Sequence, residues 1–373
     1  MKKAIWVLIV VVILGLITLL ISKGNTQKTE KILKIGAPLI LSGDFAKYGE
    51  SSKNAIEIAL DEYNSKLEVQ NKEWPRVEAI YEDTRADPKT AVSAYQKLAS
   101  FDKVDLIVGP LLQAEMSAIA PLVEKDKIPV FSVAPIPFDQ RGNVSNPLVI
   151  WPDPTLEAEQ MAEYTYNQGT RSIGILSTRD AWESEVSEAF KKKFIELGGK
   201  VTAHEIVLPD SKDTSLPVTK VIATHPDSVF VGTYYKFIYF VKKLKELGFK
   251  GKLYSIEIDT YLAGETKLYS NNLQFISPAF YTPEFVATYK AKYAEEPSIP
   301  SGQAHDAMGL LLSLVPKTYS EDTNLFKQNM LKEMAKLTEY NGVSGKIVFS
   351  AEHRATFPLN IFEINDGVIK KIK

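Results

Sequence analysis

Residues 35–64 read IGAPLILSGDFAKYGESSKNAIEIALDEYN. An apolar run from Ile35 to Leu41 ends in the turn Ser42-Gly43-Asp44, and a helical pattern follows it. Ala55, Ile56, Ala59, Leu60 and Tyr63 repeat at the i, i+3, i+4 spacing of a buried helix face, with Lys53, Glu57 and Asp61 on the opposite side. A strand, a turn and an amphipathic helix in that order open a parallel α/β sheet, whose ligands sit at the carboxyl ends of its strands. The turn therefore puts Ser42, Asp44 and Tyr48 where an α/β protein meets its ligand. The plainer reading is a connector with no contact to anything.

Outward from this unit the pattern keeps alternating. Short apolar runs at 77–81, 105–108, 129–132, 172–176, 201–207, 228–231 and 252–256 predict strands. Helical patterns fill 88–100, 113–125, 156–167, 181–197, 216–223, 235–247, 283–293 and 303–315. Gly198-Gly199 and Gly248 follow their helices as C′ glycines do. The repeat breaks at 148–154, at 277–283 and near 345–353, the first two breaks rich in proline and aromatic residues. Three breaks predict three crossings between two doubly wound parallel-sheet lobes, one of residues 32–150 plus 283–345, the other of 151–282 plus 346–373. Several connecting strands bending together make a hinge.

Bulk properties agree with two α/β lobes. The chain has 373 residues, too many for one ordinary core, and its 45% hydrophobic and 24% charged content is that of a folded protein. A net charge of −2 gives no footprint for nucleic acid, and the absence of cysteine excludes disulfides, thiolate metal sites and a cysteine nucleophile. His204, His225, His305 and His353 lack metal-ligand spacing, so no metal site is expected. No G-x-x-x-x-G-K-[ST], G-x-G-x-x-G or G-x-S-x-G motif occurs, and neither a cofactor nor an enzymatic activity is expected. At the N-terminus, Met1-Lys2-Lys3 precedes an uncharged, almost wholly apolar run at 4–21. Residues 1–24 read as a membrane anchor or a signal segment, the length of the run favouring the anchor, and 25–31 as a tether. Lys2 and Lys3 favour a cytoplasmic start, which puts the globular part outside the cytoplasm.

Further residues carry a family likeness. The turn Ser42-Gly43-Asp44-Phe45-Ala46-Lys47-Tyr48-Gly49 has the form SG-x-x-A-x-aromatic-G. Tyr81-Glu82-Asp83 with Asp87-Pro88-Lys89 and Ala91-Val92 follows, then the run from Val104 to Pro110, Ala120-Pro121, Ile128-Pro129-Val130 and the run from Gly345 to Phe349. In order and spacing this set resembles the leucine/isoleucine/valine-binding family of type I periplasmic solute-binding proteins, the substrate-binding proteins of ABC transporters. The resemblance implies a small ligand, amino-acid-like or amide-like, held between two lobes and delivered to the permease subunits of an importer. It also implies site residues: Ser42, Tyr48, Gln113 and Pro135 from the first lobe, and Trp182, Tyr234 and Glu257 from the second. Glu257, or Asp259 one register away, matches the acid that pairs with a ligand ammonium. The hydroxyls that hold a ligand carboxylate in the family are missing from Leu111-Leu112-Gln113-Ala114-Glu115 and from residues 133–137, and Pro135 has no N–H to offer. A ligand-sensing ectodomain working through a membrane partner is the alternative reading.

Overall fold

The computed structural model describes residues 32–70, 74–136, 146–278, 281–351 and 354–373. The expected anchor and tether lie outside these residues, and no described helix is long and apolar enough to cross a membrane.

Strand β1 (Ile32–Leu39) and helix α1 (Ala46–Gln70) are the unit read first in the sequence. Gly43 has φ +86°, a left-handed turn conformation that glycine adopts without a Cβ clash. Gly49 is required for another reason: a Cβ there would lie 1.7 Å from the Ile40 carbonyl oxygen, so the helix can pack this tightly on its own strand only with glycine. Further along α1, the Asn64 amide pairs in both directions with the backbone of Val77, at 3.0 and 3.1 Å. This ties the helix to strand β2 (Arg76–Asp83).

The first sheet has the order β2-β1-β3-β4-β5, with β3 (Leu106–Val108), β4 (Val130–Ser132) and β5 (Leu148–Val149). The pairs β1–β3, β3–β4 and β4–β5 are parallel. Its connecting helices are α2 (Pro88–Gln96), continued by a π-helical turn at Lys97–Asp102, and α3 (Gln113–Asp126). Asp87 caps α2 by accepting from the Thr90 N–H at 2.8 Å, with Pro88 at the first helical position.

The second sheet has the order β15-β14-β10-β9-β8-β6-β7. Five of its strands are parallel neighbours: β6 (Ser172–Thr178), β7 (Lys200–Val207), β8 (Ser228–Gly232), β9 (Lys252–Ile256) and β10 (Leu273–Pro278). Helices α4 (Pro154–Asn167) and α5 (Ala181–Glu196) cover one face, and α6 (Ser215–Ala223), α7 (Phe237–Glu246) and α8 (Thr260–Glu265) the other. The alternation of strand side chains produces this double cover. Val229 and Val231 point into the core of α6 and α7, whereas Phe230 between them stacks on Phe190 of α5 with ring centroids 4.0 Å apart.

The structure corrects the expected all-parallel second sheet: β14 (Leu359–Asn365) runs antiparallel to β10, and β15 (Val368–Lys371) antiparallel to β14. Two-residue loops permit only antiparallel return, and Asp366-Gly367 between these strands has positive φ at both positions. The passage back to this sheet also differs from expectation. Helices α9 (Pro283–Tyr293), α10 (Ser301–Thr318) and α11 (Thr323–Met334) lead into a small sheet of β11 (Glu339–Gly342), β12 (Gly345–Phe349) and β13 (Ala355–Thr356). Ile347, Phe349, Ala355 and Phe357 are buried in the core of the first sheet, so the chain crosses about a dozen residues later than residue 345.

The first connecting segment and the stretch just before the last one meet at Asp153. It caps α4 by accepting from the Thr155 and Leu156 N–H groups at 3.0 and 3.3 Å, and its other oxygen pairs with Arg354 at 2.8 Å. Asp153→Ala is expected to lower the unfolding free energy by about 1–2 kcal/mol in urea titration, and Asp153→Asn, which keeps the cap, by less than half of that.

Candidate functional site

The carboxyl ends of both sheets face one cavity of about 100 Å³. The turn after β1 and the first residues of α1 contribute Ile40, Phe45 and Tyr48, and the loops after β3 and β4 contribute Leu111, Leu112, Gln113 and Pro135. From the second sheet come Asp180, Trp182 and Glu183 after β6, Tyr234 and Tyr235 after β8, and Glu257 after β9. Trp151 enters from the first connecting segment, and Ile299 and Pro300 from the loop before α10.

Six of the seven residues selected from sequence, Tyr48, Gln113, Pro135, Trp182, Tyr234 and Glu257, therefore line one space. Ser42 does not. Its hydroxyl donates to Asp83 Oδ2 at 2.6 Å, while Asp83 Oδ1 accepts from the N–H groups of Leu41 and Arg85. Asp83, at the end of β2, uses Ser42 to pin the turn, and the serine is exposed beside the cavity rather than within it.

Aromatic side chains make up much of the wall. Trp182 and Tyr234 have ring centroids 5.6 Å apart. Across the cleft, Tyr48 meets Tyr234 edge-on at 6.5 Å and Phe45 meets Tyr235 edge-on at 4.9 Å. The Gln113 amide bridges to Glu185 of α5 at 3.0 Å, so the two sheets touch through polar as well as aromatic groups.

The charged groups at the wall are acids. Glu183 is buried and fully engaged: one oxygen accepts from the Thr233 hydroxyl at 2.9 Å and from the N–H groups of Tyr234 and Tyr235 at 2.7 and 3.2 Å, the other from the Thr178 N–H at 3.2 Å. Burial pushes its carboxyl up to about 8, with Asp180 adding to the effect. Glu115, the first-turn acid of α3, accepts from the Leu112 N–H at 3.2 Å and is pushed up to about 7 by burial.

Glu257 is different, because it is 1% exposed and its carboxyl faces only the Trp151 indole and a second carboxyl. Its φ of +50° lies in the left-handed region, unusual for a residue with a side chain. The Tyr234 hydroxyl donates to its carbonyl, and its own N–H donates to the Ile276 carbonyl at 2.8 Å, so both flanking peptides are held. Behind it lies Glu157 of α4, also buried, whose carboxyl meets that of Glu257. Burial raises both carboxyls, Glu257 to about 7, and the neighbouring Glu257 charge raises Glu157 further. Two carboxyls this close share one proton more readily than they carry two charges.

These raised acids set a pH dependence. A carboxyl whose folded value exceeds its unfolded value of about 4.3 binds protons more tightly in the native state, so stability falls as pH rises through the window between them. For Glu115, Glu183 and Glu257 that window runs from about 4.5 to about 8. Calorimetry of the ligand-free protein should give a higher melting temperature at pH 5 than at pH 8.5, with a difference on the order of a few kcal/mol in stability. Glu257→Gln should flatten part of that slope.

The sequence reading missed Phe45, Trp151 and Tyr235 as wall residues and Glu157 entirely. Tyr235 adjoins Tyr234, and Trp151 lies in the first break, so both carried a signal. Glu157 sits in the run Leu156-Glu157-Ala158-Glu159, where nothing local separates a buried acid from a solvated one. Among the described residues no cluster of three or more metal-ligating side chains occurs.

Known proteins share this fold. The family described as periplasmic binding protein matches residues 32–368. The Leu/Ile/Val-binding protein BraC3 of Rhizobium johnstonii is 26% identical over 205 residues, which are 54% of this chain and 55% of that protein, so the chain spans about half the length of that curated relative. The branched-chain amino acid substrate-binding protein LivJ of Streptococcus pneumoniae, solved in complex with isoleucine, superposes with a TM-score of 0.80 at 21% identity, covering 92% of this chain and 100% of that one. A Rhodopseudomonas palustris solute-binding protein in complex with 4-hydroxybenzoate gives a TM-score of 0.81 at 19% identity over 92% and 96% of the two chains. With a family match spanning nearly all of its described residues, the chain belongs to the periplasmic binding protein family.

Proposed function

We propose that this protein captures a small solute between two closing lobes outside the cytoplasm and delivers it to the permease of an ABC-type importer, binding without turnover. The lobes of this reading are the two sheets with their helices, and the apolar run at 4–21 tethers them to the membrane. The observation that carries the reading is the aromatic cavity at the carboxyl ends of both sheets, whose wall is completed only where Phe45 and Tyr48 meet Tyr234 and Tyr235. A ligand that touches both sides favours the closed form by its differential affinity, and a closed form is what a transport partner can distinguish from an empty one. Relatives of the same fold were solved with isoleucine and with 4-hydroxybenzoate. In this chain the amine or amide end of an amino-acid-like ligand would face Glu257.

Trp151 and Trp182 line the cavity among only four tryptophans in the chain, so intrinsic fluorescence is a direct readout. A panel of amino acids, amides, amines, sugars and aromatic acids is expected to contain a solute that changes the emission and shrinks the radius of gyration in solution scattering. If no member of so broad a panel does either, the capture reading is wrong.

A further inference from the structure

We propose that the solute is a small organic cation that carries no carboxylate, its charged nitrogen placed at the Glu257–Glu157 pair. The proposal rests on the capture reading and narrows it to one ligand class.

The first part of the argument concerns donors. A bound carboxylate needs N–H or O–H groups aimed at it, and the backbone groups best placed to supply them after β6, after β8 and at the start of α3 are already spent. The N–H groups of Tyr234 and Tyr235, with that of Thr178 and the Thr233 hydroxyl, converge on the chain's own Glu183. At the start of α3 the Leu112 N–H is taken by Glu115. Pro135 has no N–H, and the Gln113 amide nitrogen is directed to Glu185. At two places where the backbone could cradle an anion, an internal carboxylate stands in for one.

The second part concerns charge. The charged residues at the described cavity wall are Asp180, Glu183 and Glu257, and Lys, Arg and His are absent from that wall. Lys47 is directed over the Tyr261 ring, 4.5 Å from its centroid. An added anion would meet acids and no described cation at this wall, so nothing there offsets its charge. The third part is what has been left unpaired. Beyond the Trp151 indole beside Glu257 and the proton that the two carboxyls share, the oxygens of Glu257 and Glu157 and the Gln113 Oε1 are buried acceptors with no further donor. A cation bearing N–H groups satisfies acceptors of this kind, and the faces of Trp182, Tyr48 and Tyr234 suit a positive charge. The unpaired indole N–H of Trp182 fits a neutral acceptor on the same ligand, such as an amide carbonyl or a hydroxyl.

Calorimetric titration of the intact protein with matched compounds tests this: leucine against leucinamide and 3-methylbutylamine, phenylalanine against phenylalaninamide and phenethylamine, and the corresponding acids without nitrogen. The carboxylate-free cation should bind at least tenfold more tightly than the amino acid on the same skeleton, and the acids should not bind. Glu257→Gln, checked by circular dichroism for retained fold, should weaken the cation at least thirtyfold. An amino acid or acid that binds as well as its carboxylate-free partner overturns the proposal and leaves solute capture intact. Where no matched compound binds, the solute found in the fluorescence panel decides: a carboxylate-free cation supports the proposal, and any other solute overturns it. Absence of any binding solute removes the capture reading, and this proposal with it.

Discussion

Glu183→Ala is expected to lower the unfolding free energy by about 3–5 kcal/mol, the range for removing one member of a fully paired buried polar set. The carboxylate is 1% exposed and accepts from four groups on two loops, those after β6 and β8. Without it, the backbone N–H groups of Thr178, Tyr234 and Tyr235 lose their acceptor at once. Glu183→Gln keeps one acceptor oxygen but turns an NH2 toward a donor, so its loss should be intermediate, about 1–2 kcal/mol. Urea unfolding followed by circular dichroism measures both. A loss below about 1 kcal/mol for the alanine variant would show that the loops hold their shape without this carboxylate.

The second large effect is on ligand binding. Once a solute is identified, Trp182→Ala and Tyr234→Ala should each weaken it about 30- to 1000-fold, the range for a central aromatic anchor. Trp182 is 9% exposed and packs on Tyr234, so each variant also loosens the other's ring. Tyr234→Phe separates the two roles of that residue. It keeps the ring and loses only the hydroxyl that holds the Glu257 carbonyl, and should cost less than the alanine variant. Ser42→Ala should leave affinity within about twofold, because that hydroxyl serves Asp83 and not the cavity. Equal losses for Ser42→Ala and Tyr234→Ala would contradict this division.

The parts of the fold legible in the sequence were those where period, caps and turns agree. The β1–α1 unit announced itself through Gly43, Gly49 and the stripe ending at Tyr63. The stripe split in a way no periodicity shows: Ile56, Ala59 and Leu60 face the sheet, whereas Ala55 faces Phe285 and Tyr289 of α9. Strand β10 was not read, because Gln274 and Ser277 interrupt its apolar pattern. Helix α11 was not read either, since only Phe326, Met330 and Met334 of its twelve residues are buried. At the site, the aromatics could be found because they follow strands. Glu157 could not, because its burial is created by β9 a hundred positions away. Ser42 misled for a related reason: a serine at a strand end looks the same whether its partner is a ligand or an aspartate on the next strand.

The Asp153–Arg354 pair has a mechanical consequence. It clasps the first connecting segment to the stretch just before the last one, and it does so at the cap of the helix that carries Glu157. Straps fastened to each other cannot swivel independently. On the proposed two-lobe reading, the clasp resists torsion about the long axis and leaves bending, so the jaws should part like a book on its spine.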